Sequence, residues 1–173
     1  MPFNEQGEPL EIERKYLIRR PDRGELERHA ARRLEITQVY LLRGPEGESR
    51  RLRRAVEAGR EKLYYTEKLH RSDLVRVERE RELTPAEYEE LLARADGERR
   101  PIRKERWCVP WADHTLEIDV FPFWEDRAYC EIELQSPEED VLLPDWLTVI
   151  REVTGDPRYT NSALAREIPM DPI

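Results

Sequence analysis

The sequence has few of the residues that mark several common protein classes. Its two cysteines, Cys108 and Cys130, lie far apart, so neither a disulfide scaffold nor a zinc site is indicated. The three histidines are scattered, whereas metal-binding histidines cluster. No apolar run approaches the ~20 residues of a membrane-spanning helix, and the acidic start lacks a signal-peptide pattern. We therefore expect a cytoplasmic protein with no membrane partner.

An excess of positive charge is also missing. Charged residues make up 39% of the 173 residues, yet the net charge is −8. No global positive field would attract nucleic acid, so any anion must be bound by locally gathered cations. The length predicts one domain over 1–173, with a core at about 10–168. We expect it to act as a monomer or a homodimer.

The pattern of apolar and β-branched residues predicts more strands than helices. Eight strands are predicted at about 10–18, 36–42, 49–55, 62–68, 75–83, 101–109, 114–121 and 128–135. Helical spacing predicts helices at about 22–34, 84–95, 145–153 and 163–166, the second of which begins with a capping box at Thr84. Short connections between neighbouring strands favour an α+β fold, an eight-stranded antiparallel closed β-barrel with a few flanking helices.

Charged residues recur at every second position of these strands. In the stretch 75–83, Arg76, Glu78 and Glu80 share one face of a strand. The same period places charges on one face in the other strands: Glu11, Glu13, Lys15, Arg51, Arg53, Lys68, Lys104, Arg106, Glu117, Asp119, Glu131 and Glu133. Opposite them, the strands at 114–121 and 128–135 are apolar.

Two interpretations of this pattern remain open at this point. The charged faces are either the solvated faces of amphipathic strands or the lining of a barrel interior. The pairs sort by sign within each strand, whereas a solubilising surface usually mixes them. Burying so many charges would be prohibitive unless the interior is wet and opposite signs, a metal and a polyanion compensate one another. Glu11, Glu13 and Lys15 on one face suit a divalent cation with a phosphate attached to it.

Taken in order, these motifs resemble the CYTH superfamily, the triphosphate tunnel metalloenzymes. The resemblance covers about 10–168 and rests on Glu11-x-Glu13-x-Lys15, Gln38-x-Tyr40, Arg51-x-Arg53, Thr66-x-Lys68, Arg76-x-Glu78-x-Glu80, Lys104-x-Arg106, Glu117-x-Asp119, Glu131-x-Glu133 and Arg158-Tyr159-x-Asn161-x-x-Leu164. In the last motif, Thr160 and Ser162 stand where basic residues are expected. Pro9-Leu10 replaces the His-Phe pair of the adenylyl cyclase and thiamine triphosphatase branches, which disfavours those two activities.

The resemblance implies a charged β-tunnel that binds Mg²⁺ or Mn²⁺ and a small-molecule triphosphate. The implied metal ligands are Glu11, Glu13, Asp119, Glu131 and Glu133, with Glu117 as a further candidate. The implied phosphate-binding residues are Lys15, Arg51, Arg53, Lys68, Arg76, Lys104 and Arg106.

The expected reaction is metal-dependent hydrolysis of the terminal phosphate of inorganic triphosphate or a related triphosphate. Glu78 and Glu80 are candidates to orient the attacking water or to hold a second metal, and Tyr40 is a candidate proton acceptor. Tyr40 could equally be only a hydrogen-bonding residue of the tunnel. The alternative functions are an adenylyl cyclase or thiamine triphosphatase of the same fold and a non-catalytic polyphosphate-binding module.

Overall fold

The computed structural model describes residues 2–173, which form nine β-strands and three short α-helices. The strands are β1 (Leu10–Arg19), β2 (Arg32–Tyr40), β3 (Ser49–Glu57), β4 (Arg60–His70), β5 (Val75–Leu83), β6 (Ile102–Trp111), β7 (His114–Val120), β8 (Arg127–Glu133) and β9 (Val149–Glu152). The helices are α1 (Arg23–His29), α2 (Pro85–Leu92) and α3 (Asn161–Leu164). None of the helices in this part of the chain has the length and hydrophobicity needed to cross a bilayer.

The first eight strands form a closed antiparallel barrel, as the sequence predicts. Their order is β5-β4-β3-β2-β6-β7-β8-β1, and the ring closes where Leu10–Ile12 of β1 pair with Val75–Val77 of β5. The C-terminal half of β1, from Tyr16 to Ile18, does not pair with β5 and pairs instead with the short ninth strand, β9. Closure leaves each barrel strand with hydrogen-bonding partners on both sides over part of its length.

The predicted helix at 145–153 is wrong, because Val149–Glu152 form strand β9. Tyr16 and Leu17 of β1 pair with Glu152 and Arg151. Backbone groups of β1 that lack β5 as a partner must bond elsewhere, and β9 supplies those bonds. The apolar residues of this segment have helical spacing, but the segment forms a strand because β1 needs a hydrogen-bonding partner there.

The predicted helices at 22–34 and 84–95 are both shorter than expected. Helix α1 ends at His29 and the chain enters β2 at Arg32, where Leu34 pairs with Arg106. Helix α2 has the predicted capping box but ends at Leu92, because Ala95 forms a bridge with Leu41. In both places a strand ladder ends the helix that local spacing alone would continue.

Apolar side chains pack on the outside of the barrel wall. Leu116, Ile118 and Ile132 are buried against Leu26 of α1 and the segment 141–147. On the other side, the outward faces of β3 to β5 pack against α2. The apolar core therefore lies between the barrel and its covering elements, and the charged faces point into the interior. This excludes the alternative in which those faces are merely solvated.

An aromatic cluster fills the part of the interior next to the charges. Tyr129 lies on the same face of β8 as Glu131 and packs with Phe121, Trp124 and Tyr159. The Tyr129 hydroxyl donates to the Tyr159 carbonyl at 2.8 Å, and the Trp124 indole donates to the Pro169 carbonyl at 2.9 Å. These bonds fasten the C-terminal segment to the barrel and set one boundary of the charged region.

Candidate active site

The inward faces enclose a cavity of about 480 Å³ lined almost wholly by charged and polar side chains. Most of the residues singled out in the sequence line it: Glu11, Glu13, Lys15, Tyr40, Arg51, Arg53, Lys68, Arg76, Glu78, Glu80, Arg106, Glu117, Glu131 and Glu133. Alternation along eight strands thus brings together charges that are up to 122 positions apart, from Glu11 to Glu133. The structure does not place Lys104 or Asp119 on this wall.

Carboxylates from neighbouring strands face one another across the ladder. Glu13 is directly opposite Glu133, and Glu117 is directly opposite Glu131. Like charges in such positions repel. Burial raises the pKa of Glu13, and the nearby Glu131 and Glu11 raise it further. Burial likewise raises the pKa of Glu133, with contributions from Glu11 and Glu117. This cluster is under electrostatic strain that a bound cation would relieve.

The donor chemistry of the cluster fits a divalent metal such as Mg²⁺ or Mn²⁺. Glu131 has a buried Oε1 with no hydrogen-bond partner within residues 2–173, although Lys15 Nζ lies 3.4 Å from it. Burial opposes ionisation of Glu131, but the cations Lys15, Arg106 and Lys104 together lower its pKa. No three Asp, Glu, His or Cys side chains within residues 2–173 converge on a single metal point. The fit to a divalent metal rests on ligand chemistry, because carboxylate oxygens are the ligands that Mg²⁺ and Mn²⁺ prefer.

Glu11, Lys68 and Glu78 form a second charged group on the wall. Lys68 Nζ lies 2.8 Å from Glu11 Oε1 and 3.9 Å from Glu78 Oε2. Burial and a hydrogen bond to Glu11 raise the pKa of Glu78 to about 8. Burial opposes the charge on Glu11 too, but Lys68 and the bond with Glu78 lower its pKa. At neutral pH the pair therefore shares one proton, held chiefly by Glu78.

Two guanidinium groups, Arg51 and Arg53, lie on β3, which is halfway round the ring of strands from β8 and its carboxylates. Arg53 donates to Gln38 Oε1 through Nε at 3.2 Å and Nη2 at 2.7 Å. Burial, together with the neighbouring Arg51 and Arg106, lowers the pKa of Arg53 to about 10. Arg51 Nε is buried without a hydrogen-bond partner in the described part of the chain. Neighbouring guanidinium groups offer the forked donors that suit phosphate oxygens.

Lys104 and Asp119 point into the barrel interior but lie deeper than the residues that line the cavity, which corrects the sequence-based placement of both. Their side chains are 0% exposed, and Lys104 Nζ donates to Asp119 Oδ2 at 2.7 Å. Asp119 also accepts bonds from Arg106 at 2.8 and 2.9 Å. Strand alternation gives the face of a residue but not its depth. Asp119 therefore holds Arg106 in place, and Glu117, also paired with Arg106, takes the position on the wall.

Tyr40 lines the cavity and is buried, with its hydroxyl accepting a bond from Gln38 Nε2 at 3.3 Å. Several other residues that line the cavity, Arg43, Gly47, Ser49 and His70, carried no signal in the sequence. Thr66, part of the Thr66-x-Lys68 motif, also lines it and donates to Glu80 Oε2 at 2.9 Å. The segment 160–162 also lines the cavity, although its side chains are uncharged. Only its place in the C-terminal motif hinted at this position.

No protein-family model matches the chain. An inorganic triphosphatase of Acetivibrio thermocellus is 30% identical over 158 residues, which cover 90% of this chain and 93% of the relative. The chain belongs to the inorganic triphosphatase family. A second inorganic triphosphatase, from Nitrosomonas europaea, is 32% identical over 92% of this chain and 99% of the relative. The crystal structure of an inorganic triphosphatase superposes on this protein with a TM-score of 0.55 and 28% sequence identity. The superposition covers 91% of this chain and 99% of the other.

These likenesses confirm the predicted resemblance to the triphosphate tunnel proteins over nearly the whole chain. They also match the closed eight-stranded barrel seen here. Cys108 and Cys130 are both free and buried, as expected for an inorganic triphosphatase family member without a disulfide scaffold.

The position of Asp119 generates a stability prediction. Asp119→Asn should lower the free energy of unfolding of the metal-free protein by about 3–5 kcal/mol, because it leaves Lys104 and Arg106 buried without their anion. Urea denaturation at pH 7 measures this, with exposed Asp113→Asn as the control expected to stay within about 0.5 kcal/mol. If Asp119 were instead a strained ligand of the carboxylate cluster, the substitution would be neutral or stabilising without metal.

Proposed function

We propose that the protein hydrolyses the terminal phosphoanhydride bond of inorganic triphosphate, using a divalent cation. The observation that carries this proposal is one cavity lined both by guanidinium groups and by a cluster of mutually repelling carboxylates. Such an interior is stable only when its charges are compensated, and a polyanion with its metal compensates both signs at once. The names of the relatives, inorganic triphosphatases, agree with this chemistry.

The cations of the wall are proposed to hold the phosphate chain. Arg51, Arg53 and Arg106 lie together and offer forked donors, while Lys15 and Lys68 reach towards the carboxylates. Arg76 lies opposite Glu11 where the barrel closes and extends the positive lining. In phosphoryl transfer the protein chiefly positions groups and neutralises charge, so this lining is the main catalytic contribution of the chain.

Glu13, Glu131 and Glu133 are the residues proposed to hold the metal, with Glu11 and Glu117 beside them. Bound Mg²⁺ or Mn²⁺ would supply charge neutralisation of phosphate oxygens and a lowered pKa for coordinated water. The strain within the cluster supports this assignment, because the carboxylates gain most from a cation where they repel one another.

Glu80 is the better of the two candidates for orienting the attacking water. Glu78 has a pKa of about 8 and retains its proton at neutral pH, so it is a hydrogen-bond donor there and not an acceptor. Glu80 is more exposed in the cavity and is fixed by the Thr66 hydroxyl. Tyr40 is proposed to donate its hydroxyl hydrogen to a substrate oxygen. The neighbouring Gln38 already donates to the Tyr40 hydroxyl oxygen, so the hydroxyl hydrogen is left for the substrate.

The lining favours an inorganic substrate over a nucleotide. Apart from Tyr40 and His70, no aromatic or large apolar side chain lines the cavity within the described residues. A cyclase or a nucleotidase needs a surface on which a base can stack. A non-catalytic polyphosphate binder would also be weakened by the carboxylates, which repel its ligand unless a cation is bound.

The proposed reaction is tested by phosphate release from tripolyphosphate with Mg²⁺ or Mn²⁺. Wild type should release phosphate from tripolyphosphate faster than from ATP, thiamine triphosphate or pyrophosphate. Glu13→Gln should lower kcat/KM at least about 100-fold, because it removes a charge from the cation site. Glu35→Gln, on the exposed face of β2, should leave kcat/KM within about twofold.

Two results would contradict the proposal. Equal rates for Glu13→Gln and wild type would remove the metal role from Glu13. Cyclic AMP as the only product from ATP would identify a cyclase instead.

A second prediction concerns stability against pH without metal. Glu13, Glu78 and Glu133 have raised pKa values, so their protonated forms stabilise the folded protein at low pH and that stability is lost as pH rises. Carboxyl groups with lowered pKa values are ionised in both states above about pH 5. The melting temperature in EDTA should therefore fall between pH 5 and pH 7.

Saturating Mg²⁺ should reverse this loss. A free Mg²⁺ concentration of about 100 times Kd raises the free energy of unfolding by about 2.7 kcal/mol. For a chain of this length, that raises the melting temperature by roughly 5–10 °C. The rise should be larger at pH 7 than at pH 5, because protons compete for the carboxylates. A thermal melt of Glu133→Gln should lose most of the rise. An equal rise in the variant would place the cation elsewhere.

A further inference from the structure

Arg99 is a buried arginine outside the cavity wall, on the loop between α2 and β6. Its side chain is 1% exposed, and each of its guanidinium nitrogens donates a hydrogen bond. Nε bonds Asp96 Oδ2 at 2.8 Å, Nη1 bonds Ser162 Oγ at 2.7 Å, and Nη2 bonds the Leu41 carbonyl at 2.8 Å. Its guanidinium also lies over the ring of Tyr40, 5.0 Å from the centroid.

These contacts join two separate parts of the cavity wall. Tyr40 ends strand β2, and Ser162 lies on α3, more than 120 residues later in the chain. The loop itself is bonded to both parts, because the Asp96 N–H donates to the Tyr40 carbonyl and the Arg100 N–H donates to the Ala165 carbonyl. Arg99 thus adds a side-chain tie between wall residues that no strand ladder connects.

Helix α3 depends on such ties for its position. It comprises four residues, and a helix of this length is not stable by itself. Its residues Asn161 and Ser162 line the cavity, and Asn161 Oδ1 is buried with no hydrogen-bond partner within residues 2–173. An amide in that condition can bind a ligand or its water, but only if α3 is held at a fixed distance from the opposite wall.

We infer that Arg99 is a positioning residue that fixes Tyr40 and the α3 wall at the separation that triphosphate binding requires. The inference rests on the proposed function. Arg99 is not among the residues that line the cavity, so it acts through Ser162 and Tyr40. Only arginine meets the geometry, because a planar fork donates in three directions whereas an ammonium is a single point charge. The uncharged Ser162 is then the acceptor for this tie and not a lost phosphate contact.

The test compares Arg99→Lys, Ser162→Ala and the double variant with wild type in tripolyphosphate hydrolysis and in thermal melting. Arg99→Lys keeps the charge and should raise KM about fivefold to tenfold, with a smaller change in kcat. Ser162→Ala removes one bond and should raise KM about twofold to threefold. Because Arg99 acts through Ser162, adding Ser162→Ala to Arg99→Lys should raise KM no further.

Two matched controls separate positioning from stability. Arg166→Gln removes another cation from Asp96, but its side chain is half exposed and lies off the wall, so KM should be unchanged. Ser136→Ala removes a hydroxyl from a serine that does not line the cavity, with the same expectation.

A wild-type KM in Arg99→Lys, with only a lower melting temperature, would reduce Arg99 to a structural residue and overturn the inference. Should Arg99→Lys not fold, Ser162→Ala decides alone, and a wild-type KM in that variant overturns the inference equally. Fully additive effects in the double variant would do the same. If wild type neither binds nor hydrolyses tripolyphosphate, the proposed function fails first and this inference with it.

Discussion

Charge compensation inside a closed barrel is the constraint on which the rest of this structure depends. The barrel turns most of its apolar faces outward against α1, α2 and the segment 141–147, so beside the aromatic cluster its interior must accommodate charged side chains. Unpaired charge in such a place costs several kcal/mol per ion. Part of the interior meets this constraint with its own pairs, and the rest leaves like charges side by side, as at Glu13 and Glu133. We propose that a metal and a polyanion compensate that remaining imbalance.

The division between paired and unpaired charge follows depth in the barrel. Asp119 is enclosed with Lys104 and Arg106, and these three satisfy one another at 2.7–2.9 Å. Nearer to solvent, Glu13 stands opposite Glu133 with no cation between them in the ladder. The enclosed group fixes the wall and the open group is free to bind. The same chemical types therefore serve structure in one layer and binding in the next.

Much of this site could be predicted because a strand fixes side-chain direction with a period of two. Glu131 and Glu133 had to share a face once β8 formed, and the pairing of β8 with β1 brought that face to Glu13. What alternation cannot give is the layer that a residue occupies, which is why Lys104 and Asp119 were placed on the wall. The wrongly predicted helix at 145–153 has a different cause, which is tertiary pairing. The C-terminal half of β1 needs a hydrogen-bonding partner, and residues 149–152 supply it as a strand although their apolar spacing is helical.

The central claim is that the carboxylate cluster and the guanidinium wall bind one metal-triphosphate complex between them. Anomalous diffraction from crystals grown with Mn²⁺ and tripolyphosphate tests it most directly. The account predicts an anomalous peak about 2.1 Å from oxygens of Glu13, Glu131 or Glu133 and from a phosphate oxygen, with the remaining phosphates on Arg51, Arg53 and Arg106. Mn²⁺ bound elsewhere, or triphosphate bound outside the barrel, would contradict it.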